Sequence, residues 1–227
     1  YDGYNEYDRN GHKTRIFSVN DKGLTKSRNY AIKHSEAGVC LLCDDDEVFS
    51  RNYEEGILTA YRDLPEADVI IFNIGNRPAH WGDMPKKLGY LDLMHVASWQ
   101  ISFKRESIVN NNVYFDEHMG AGSGNGAEEE FRFLTDCRKN GLAIYYVPFV
   151  IADVAQTKST WFKGYNEEFF INRGNTTRYI MGYVPAVLYA AYYSIRKRHQ
   201  FDSDISWFKA FRLIMKGIHE NRLGKKK

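Results

Sequence analysis

The chain has 227 residues, of which 43% are hydrophobic and 15% aromatic, and its net charge is only +2. This composition provides enough apolar residues for a core and excludes a disordered chain, and no apolar run reaches the length of a transmembrane helix. The charge is uneven, because residues 194–227 hold ten Lys or Arg against three Asp or Glu, a net of +7 that leaves −5 for the rest. An acidic body with a basic tail indicates that the tail meets an anionic surface.

The first part of the chain predicts alternating strands and helices. Residues 1–13 are polar and rich in Tyr, Asn and Gly, which is typical of a loop. Strands are predicted over residues 14–20, 39–43 and 67–75, with helices over residues 26–35 and 53–62 between them. The run "VCLLC" (39–43) is continuous and apolar, as in a strand that is buried on both faces. This order of elements predicts an α/β fold whose sheet contains parallel pairs.

The rest of the chain is less regular and ends in helices. Residues 76–89 and the glycine-rich stretch 120–126 are predicted loops, and 98–105 a strand. A helix is predicted from about Glu128 to Asn140, followed by a strand over 142–148 that Pro148 ends. Beyond Trp161 the sequence is aromatic and helical. We therefore expect an α/β domain over residues 1–165 and a helical, basic and aromatic extension over 166–227.

The last predicted helix, residues 206–222, is amphipathic. Its apolar stripe consists of Trp207, Phe211, Ile214 and Ile218, and Lys209, Arg212 and Lys216 lie largely off that stripe. Such a pattern is typical of a helix that lies on an anionic membrane surface. The alternative is that the stripe packs against the rest of the chain.

Three cysteines, an odd and sparse number, fit a reduced compartment better than a disulfide framework. Cys40 and Cys43 form a C-x-x-C pair inside the predicted strand 39–43. Residues i and i+3 of a strand point to opposite faces, so the two thiols are not expected to share a metal. Their interpretation is that of small core residues.

The stretch "LLCDDDEVF" (41–49) ends an apolar run with Asp44, Asp45 and Asp46. Ligands bind at the carboxyl ends of strands in open α/β sheets, and carboxylate oxygens suit Mg²⁺ or Mn²⁺. The alternative is a solvated acidic turn or a helix N-cap.

Two further stretches carry charged side chains at predicted helix starts. Lys26 and Arg28 lie in the first turn of a helix, where cations oppose the helix dipole, so an anion such as a diphosphate is expected nearby. The alternative is that Lys26 and Arg28 are ordinary surface cations with no ligand. Residues 128–130 are three glutamates behind the glycine-rich stretch, where they either cap the helix or supply a general base toward a hydroxyl.

Four stretches together resemble the family 2 glycosyltransferases with the GT-A fold. They are "GLTKSRNYAI" (23–32), "LLCDDDEVF" (41–49), "GAEEEFRFLTDCRKNGLAIYYVP" (126–148) and "STWFKGYNEEFFINRG" (159–174). The resemblance covers residues 22–174 and implies a Rossmann-like mixed sheet flanked by helices, with a C-terminal helical extension. It implies an inverting hexosyltransferase that moves a sugar from a nucleotide sugar, typically a UDP-sugar, to a hydroxyl of a glycan or lipid-linked acceptor in bacterial surface polysaccharide synthesis.

The resemblance also assigns roles to residues. Asp46 matches the metal-binding aspartate, and Asp44 and Asp45 match those that contact the sugar nucleotide. Arg28 matches the arginine of the family's S-R-N stretch, which contacts the nucleotide, and Lys26, at the same helix start, is a further candidate for that contact. The acidic pair that supplies the base aligns with Glu129 and Glu130, and the second of the pair is usually the base. Apart from the resemblance, Trp99, Gln100 and Trp161, with His80 and Trp81, are candidates for lining an acceptor groove; the alternative for them is a packing or loop role.

The sequence departs from the family at two places. Nothing matches the N-terminal strand and acidic uridine-binding motif with which the family begins, so that portion is missing from this chain or unrecognisable. Many relatives have a metal-binding His shortly before "STWF", where this chain offers Gln156, whose uncharged amide is a weaker ligand.

The partners that the resemblance implies are a nucleotide-sugar donor, an acceptor and a membrane surface met through the C-terminal segment, with no nucleic acid. The expected location is cytoplasmic, on the inner face of the cell membrane. Two other functions share the acidic and basic residues, namely metal-dependent phosphoryl or nucleotidyl transfer and a non-catalytic sugar-nucleotide-binding scaffold.

Overall fold

The computed structural model describes residues 3–9, 11–77, 81–123, 128–155 and 164–226. The strands are β1 (Gly3–Arg9), β2 (His12–Ser18), β3 (Val39–Leu41), β4 (Glu47–Phe49), β5 (Val69–Ile74), β6 (Lys86–Lys87), β7 (Ile101–Lys104) and β8 (Ile144–Val154). The α-helices are α1 (Leu24–His34), α2 (Tyr53–Asp63), α3 (Arg105–Asn110), α4 (Glu129–Lys139), α5 (Glu167–Met181), α6 (Tyr183–Arg196) and α7 (Trp207–Glu220). Short 3-10 helices cover Asp92–His95, Ser98–Gln100, Arg198–Gln200 and Gly224–Lys226.

A six-stranded mixed sheet forms the centre of the molecule. Its main strand order is β3-β7-β5-β8-β4, and β6 pairs with β8. The predicted α/β fold, a mixed sheet flanked by helices, is confirmed. Among the described strands only β5 and β8 pair in parallel, because β7 lies between β3 and β5 and is antiparallel to both.

The beginning of the chain was predicted as a loop, and this prediction is wrong. β1 and β2 form an antiparallel hairpin that is separate from the central sheet. Tyr4 lies opposite Phe17 in this hairpin, with the two ring centroids 5.1 Å apart. A cross-strand aromatic pair stabilises the hairpin. Most of the other side chains in the hairpin are polar, so its first strand shows no clear hydrophobic pattern in the sequence.

The prediction that Pro148 ends a strand is also wrong. β8 runs from Ile144 to Val154, straight through the proline. The pairing with β5 shifts there, because Phe72 lies opposite Val147 whereas Asn73 lies opposite Val150. A bulge of this kind leaves an unpaired position in which a proline without an N–H group is tolerated.

β5 is the middle of the core, as its continuous apolar sequence predicts. Val69 and Ile71 pack in one cluster with Phe133 of α4, and Ile70 and Phe72 pack in another on the side of α2. These four β5 side chains have no exposed surface. The sheet is therefore covered by α4 on one face and by α2 on the other.

The C-terminal helices form a third apolar cluster, in which α5 and α7 lie very close together. Gly174 of α5 faces Ile214 of α7, and Gly217 of α7 faces Ile171 of α5, so closely that a Cβ atom on either glycine would overlap the opposite carbonyl oxygen. Ile214 and Ile218, two residues of the predicted membrane-facing stripe, are buried in this cluster. Within the described residues, no helix has both the length and the apolar character needed to cross a membrane.

We expect Gly217→Ala to destabilise the protein because its methyl group has no room beside the carbonyl oxygen of Ile171. Overpacking of this kind costs about 1–3 kcal/mol of unfolding free energy, measurable by chemical denaturation. Gly38→Ala is the matched control, since a Cβ atom there meets no other atom within 4 Å. Equal stabilities of the two variants would contradict the close helix contact.

Candidate active site

The guanidinium group of Arg28 lies among carboxylates from two distant segments. Its Nη1 donates to Oε1 of Glu130 over 3.0 Å and lies 3.7 Å from Oε1 of Glu129. Its Nη2 lies 3.3 Å from Oδ1 of Asp44. The side chain is only 9% exposed. The structure thus joins three regions of the sequence, at residues 28, 44 and 129–130, into one buried ion cluster.

Hydrogen bonds with residues 115–121 hold the helix that carries Arg28. The Asn29 amide donates to the carbonyl oxygen of Phe115 and accepts from its N–H group, over 2.9 and 2.8 Å. The Thr25 hydroxyl donates to the carbonyl oxygen of Met119 over 3.0 Å. Gly120 has a φ of 89°, and a Cβ atom there would lie 2.9 Å from Cγ2 of Thr25, so glycine suits this contact. α1 is therefore fixed against the segment that precedes α4.

The acidic turn follows β3 and leads into β4. Both carboxylate oxygens of Asp44 are engaged, because Oδ2 accepts a hydrogen bond from the Ser98 hydroxyl over 2.9 Å while Oδ1 faces Arg28. Asp45 is exposed and Asp46 half-buried. Glu47 accepts from the backbone N–H of Asp44 over 2.7 Å, and its other oxygen, Oε2, is buried without a hydrogen-bond partner among the described residues. Burial, and after it the charges of Asp44 and Asp46, raises the pKa of Glu47 to about 7.

The described residues contain no group of three His, Cys, Asp or Glu side chains placed to hold a metal ion. The donors at the acidic turn nevertheless fit Mg²⁺ or Mn²⁺, since such an ion takes one or two protein carboxylates and fills its other positions with water and phosphate oxygens. Asp46 is half-buried there, and Oε2 of Glu47 is buried without a hydrogen-bond partner among the described residues, so a cation at the turn would find carboxylate oxygens to bind. Gln156 lies outside the described residues, but its neighbour Ala155 donates to the carbonyl oxygen of Asp46 over 2.7 Å.

The three consecutive glutamates have different partners. Glu128 adopts a left-handed backbone conformation, with a φ of 69°, and its Oε1 lies 3.1 Å from Nη1 of Arg173 on α5. Its side chain makes no capping hydrogen bond to α4, so the capping interpretation does not account for it. Glu129 and Glu130 instead contact Arg28 of α1. Burial, and after it the charge of Glu130, raises the pKa of Glu129 to about 7.

Other predicted site residues lie apart from this cluster or make internal contacts. Lys26 forms an exposed ion pair with Asp21 over 3.0 Å. Gln100 is buried, with its amide bonded to the backbone of Ala97 and Phe72. Trp99 is half-buried, with the guanidinium carbon of Arg77 5.1 Å from its ring centroid. Trp81 packs edge-on against Tyr146. Trp161 and His80 lie outside the described residues.

Ser98, Glu47 and Arg173 have partners in the site that the sequence did not indicate. Ser98 approaches Asp44 from the segment between β6 and β7, 54 residues further along the chain, and a lone serine carries no pattern. Glu47 was visible as the fourth acidic residue of its stretch. Arg173 lies in the stretch "INRG" that contributed to the family resemblance, so only its partner Glu128 was unforeseen.

The fold is similar to that of solved structures with a nucleotide sugar bound, whereas comparisons of the sequence find no relative. No protein-family model matches the chain, and no curated protein sequence matches it. Crystal structures of S. aureus TarS 1–349 are similar to it. With UDP-GlcNAc bound, the TM-score is 0.55 at 15% identity, over 86% of this chain and 62% of that one. The complex with UDP has a TM-score of 0.52 at 16% identity, over 86% of this chain and 61% of the TarS chain. At this identity the likeness shows the fold, and the chain spans about 62% of the TarS chain.

We expect Glu129→Gln to stabilise the protein at pH 8 and to have little effect at pH 5. A carboxyl whose pKa is higher in the folded than in the unfolded chain binds more protons when folded, so stability falls as the pH rises from about 4.5 to about 7. Replacing Glu129 removes this penalty, which amounts to as much as about 3 kcal/mol. Melting temperatures at both pH values measure the effect.

Glu55→Gln, the same substitution at an exposed position on α2, provides the control. A Glu129→Gln variant that is less stable than the parent at pH 8 would show instead that the pair with Arg28 outweighs burial.

Proposed function

We propose that the chain is an inverting glycosyltransferase that moves a sugar from a nucleotide sugar, a UDP-sugar, to a hydroxyl of a glycan or lipid-linked acceptor. The observation that carries the proposal is the Arg28 cluster, which holds the acidic turn and the carboxylates of Glu129 and Glu130 together. Sugar transfer needs carboxylates that bind the donor and a carboxylate that accepts a proton, and these must lie close together. The fold shared with TarS, whose structure holds UDP-GlcNAc, supports the same donor class.

In this proposal the acidic turn binds the donor. Asp44 and Asp45 contact the sugar nucleotide, and Asp45 is exposed and free to approach it. Asp46 would hold Mg²⁺ or Mn²⁺, an ion that neutralises charge on a leaving diphosphate when bound. Arg28, which holds Asp44 in place, also brings a positive charge to within 3.3 Å of the turn.

Glu130 is proposed as the general base. Its side chain is 16% exposed, compared with 7% for Glu129, so an acceptor hydroxyl reaches it more readily. The Glu130 carboxylate takes the proton of that hydroxyl while the oxygen forms a bond to the anomeric carbon. The bond from the anomeric carbon to the diphosphate breaks on the opposite face, which inverts the configuration. Holding donor and acceptor in this geometry supplies much of the acceleration.

Glu129 is the alternative base, because a pKa near 7 suits proton transfer at neutral pH. Donor and products separate the alternatives. Sugar transfer releases nucleoside diphosphate from a nucleotide sugar, nucleotidyl transfer releases pyrophosphate from a nucleoside triphosphate, and phosphoryl transfer uses a nucleoside triphosphate as its donor and leaves the nucleotide sugar intact. A scaffold that only binds the sugar nucleotide would give no turnover with any donor.

We expect Glu130→Gln to lower turnover by about 10²- to 10⁴-fold, the usual contribution of a general base, while donor binding stays nearly unchanged. The amide has almost the same shape but accepts no proton. Release of nucleoside diphosphate measures turnover, and calorimetry with the donor measures binding. If Glu129→Gln is the impaired variant and Glu130→Gln retains activity, the base is Glu129.

We expect Asp46→Asn to abolish the enhancement of UDP binding by Mn²⁺ without unfolding the chain, because Asp46 is the carboxylate assigned to the ion. Calorimetric titration of UDP with and without Mn²⁺ gives this enhancement. Asp63→Asn, at an exposed site on α2, serves as the control. Equal enhancement in the Asp46 variant and the parent would remove Asp46 from the metal site.

A further inference from the structure

One side of α6 carries large apolar side chains that remain exposed. They are Val184 (67% exposed), Leu188 (68%), Tyr192 (50%) and Ile195 (55%), hereafter the α6 face. The spacing of these residues along the helix, four, four and three, places them on a single stripe. Scattered apolar residues on a surface are ordinary, whereas a contiguous stripe of four marks a surface that meets a partner.

The opposite side of α6 is already occupied. Ala186, Ala190 and Tyr193 are buried in the apolar cluster that α6 shares with α5 and α7. The helix therefore has one side that holds it to the protein and another that has no partner among the described residues. The fold does not need the α6 face for its own core.

Cationic and aromatic residues surround the end of the α6 face. Arg196 and Arg198 lie one and three residues after Ile195, and both are exposed. α6 and α7 run antiparallel, since the Tyr183 ring at the start of α6 lies 6.0 Å from the His219 ring at the end of α7. Trp207 and Phe208, at the start of α7, therefore lie at the same end as Arg196, and they are 46% and 56% exposed.

An apolar groove borders the α6 face. Leu188 and Tyr192 belong to both, and Met94, Phe169 and Tyr193 line the groove further in. The cavity volume is about 790 Å³, and Arg173, the partner of Glu128, also lines it. The groove thus extends from the α6 face toward the side chains that surround the candidate active site.

We propose that the α6 face binds the surface of an anionic lipid bilayer. The apolar stripe inserts at the boundary between headgroups and acyl chains, the Tyr and Trp rings lie at headgroup level, and the neighbouring cations pair with anionic headgroups. The charge of the segment fits this partner, since residues 194–227 carry a net charge of +7 while the rest of the chain carries −5. The bound surface differs from the predicted stripe on α7, because Ile214 and Ile218 are buried.

A second copy of this chain fits the surface less well than a bilayer does. In a two-fold dimer the same patch faces itself, so Arg196 and Arg198 of one copy would approach those of the other, and like charges repel. The groove favours a lipid further, since it offers room for an apolar chain beside the inserted stripe. If the proposed transferase function holds, a lipid-borne acceptor in this groove would lie beside Arg173, the partner of Glu128; binding to the bilayer itself does not depend on that function.

The test is co-sedimentation of the intact chain with vesicles of phosphatidylcholine alone or mixed with phosphatidylglycerol, at low and high salt. The parent should bind the anionic vesicles and lose binding at high salt. The double variant Leu188→Glu, Ile195→Glu should bind at least about tenfold more weakly, because carboxylates replace inserted apolar groups near anionic lipid. Arg196→Gln combined with Arg198→Gln should weaken binding to the anionic vesicles only.

Leu58→Glu is the matched control, since Leu58 is 55% exposed on α2, away from the α6 face. It should bind vesicles as the parent does. Binding of the Leu188 and Ile195 double variant equal to that of the parent would overturn the proposal, as would a parent that binds no vesicles. Light scattering then tests for a dimer that the same double variant dissociates, which would assign the α6 face to a second copy. UDP calorimetry on the same variants reports the donor site separately, so failure of membrane binding is distinguished from failure of the proposed function.

Discussion

The Arg28 guanidinium is the interaction on which the candidate site depends. It is the cation that faces Asp44, Glu129 and Glu130, three carboxylates that would otherwise repel one another in a largely buried place. Removing Arg28 would leave these carboxylates uncompensated, and an uncompensated charge of this kind in a buried site costs about 3–5 kcal/mol. The two-sided hydrogen bonding of Asn29 to Phe115 and the bond from Thr25 to Met119 keep α1, and with it Arg28, in position. The same cation thus determines where the acidic turn and the start of α4 can lie.

The site is assembled at the expense of stability at neutral pH. The pKa values of Glu129 and Glu47 are both raised to about 7, mainly by burial. The folded chain therefore solvates these two carboxylates less well than water does. A structure selected only for stability would place apolar or amide side chains there. Perturbed carboxyl groups beside a turn of aspartates are typical of a functional site, and this agrees with the proposed roles in donor binding and proton transfer.

The C-terminal helices connect the candidate site to the exposed apolar surface of α6. The glycine contact between α5 and α7 brings their backbones close, and α6 packs on the pair with its small residues Ala186 and Ala190 inward. Val184, Leu188, Tyr192 and Ile195 of α6 are left outside. Arg173 of α5 pairs with Glu128 and lines the groove beside the α6 face, so this segment contributes both to the surroundings of the glutamates and to the proposed membrane contact.

The sequence by itself determined the α/β class, the buried strand β5, the helices α1, α2 and α4 to within about two residues, and the acidic and basic residues that gather at the site. These features follow from local patterns, namely apolar periodicity, caps and runs of like charge. Only the tertiary structure decided that β7 separates β3 from β5, that β8 continues through Pro148, and that Arg28 lies among the carboxylates while Lys26 pairs with Asp21. It also decided that Ile214 and Ile218 are buried whereas the α6 face is exposed. An amphipathic pattern states that a helix has an apolar side, but which partner covers that side depends on contacts between residues that are distant in the sequence.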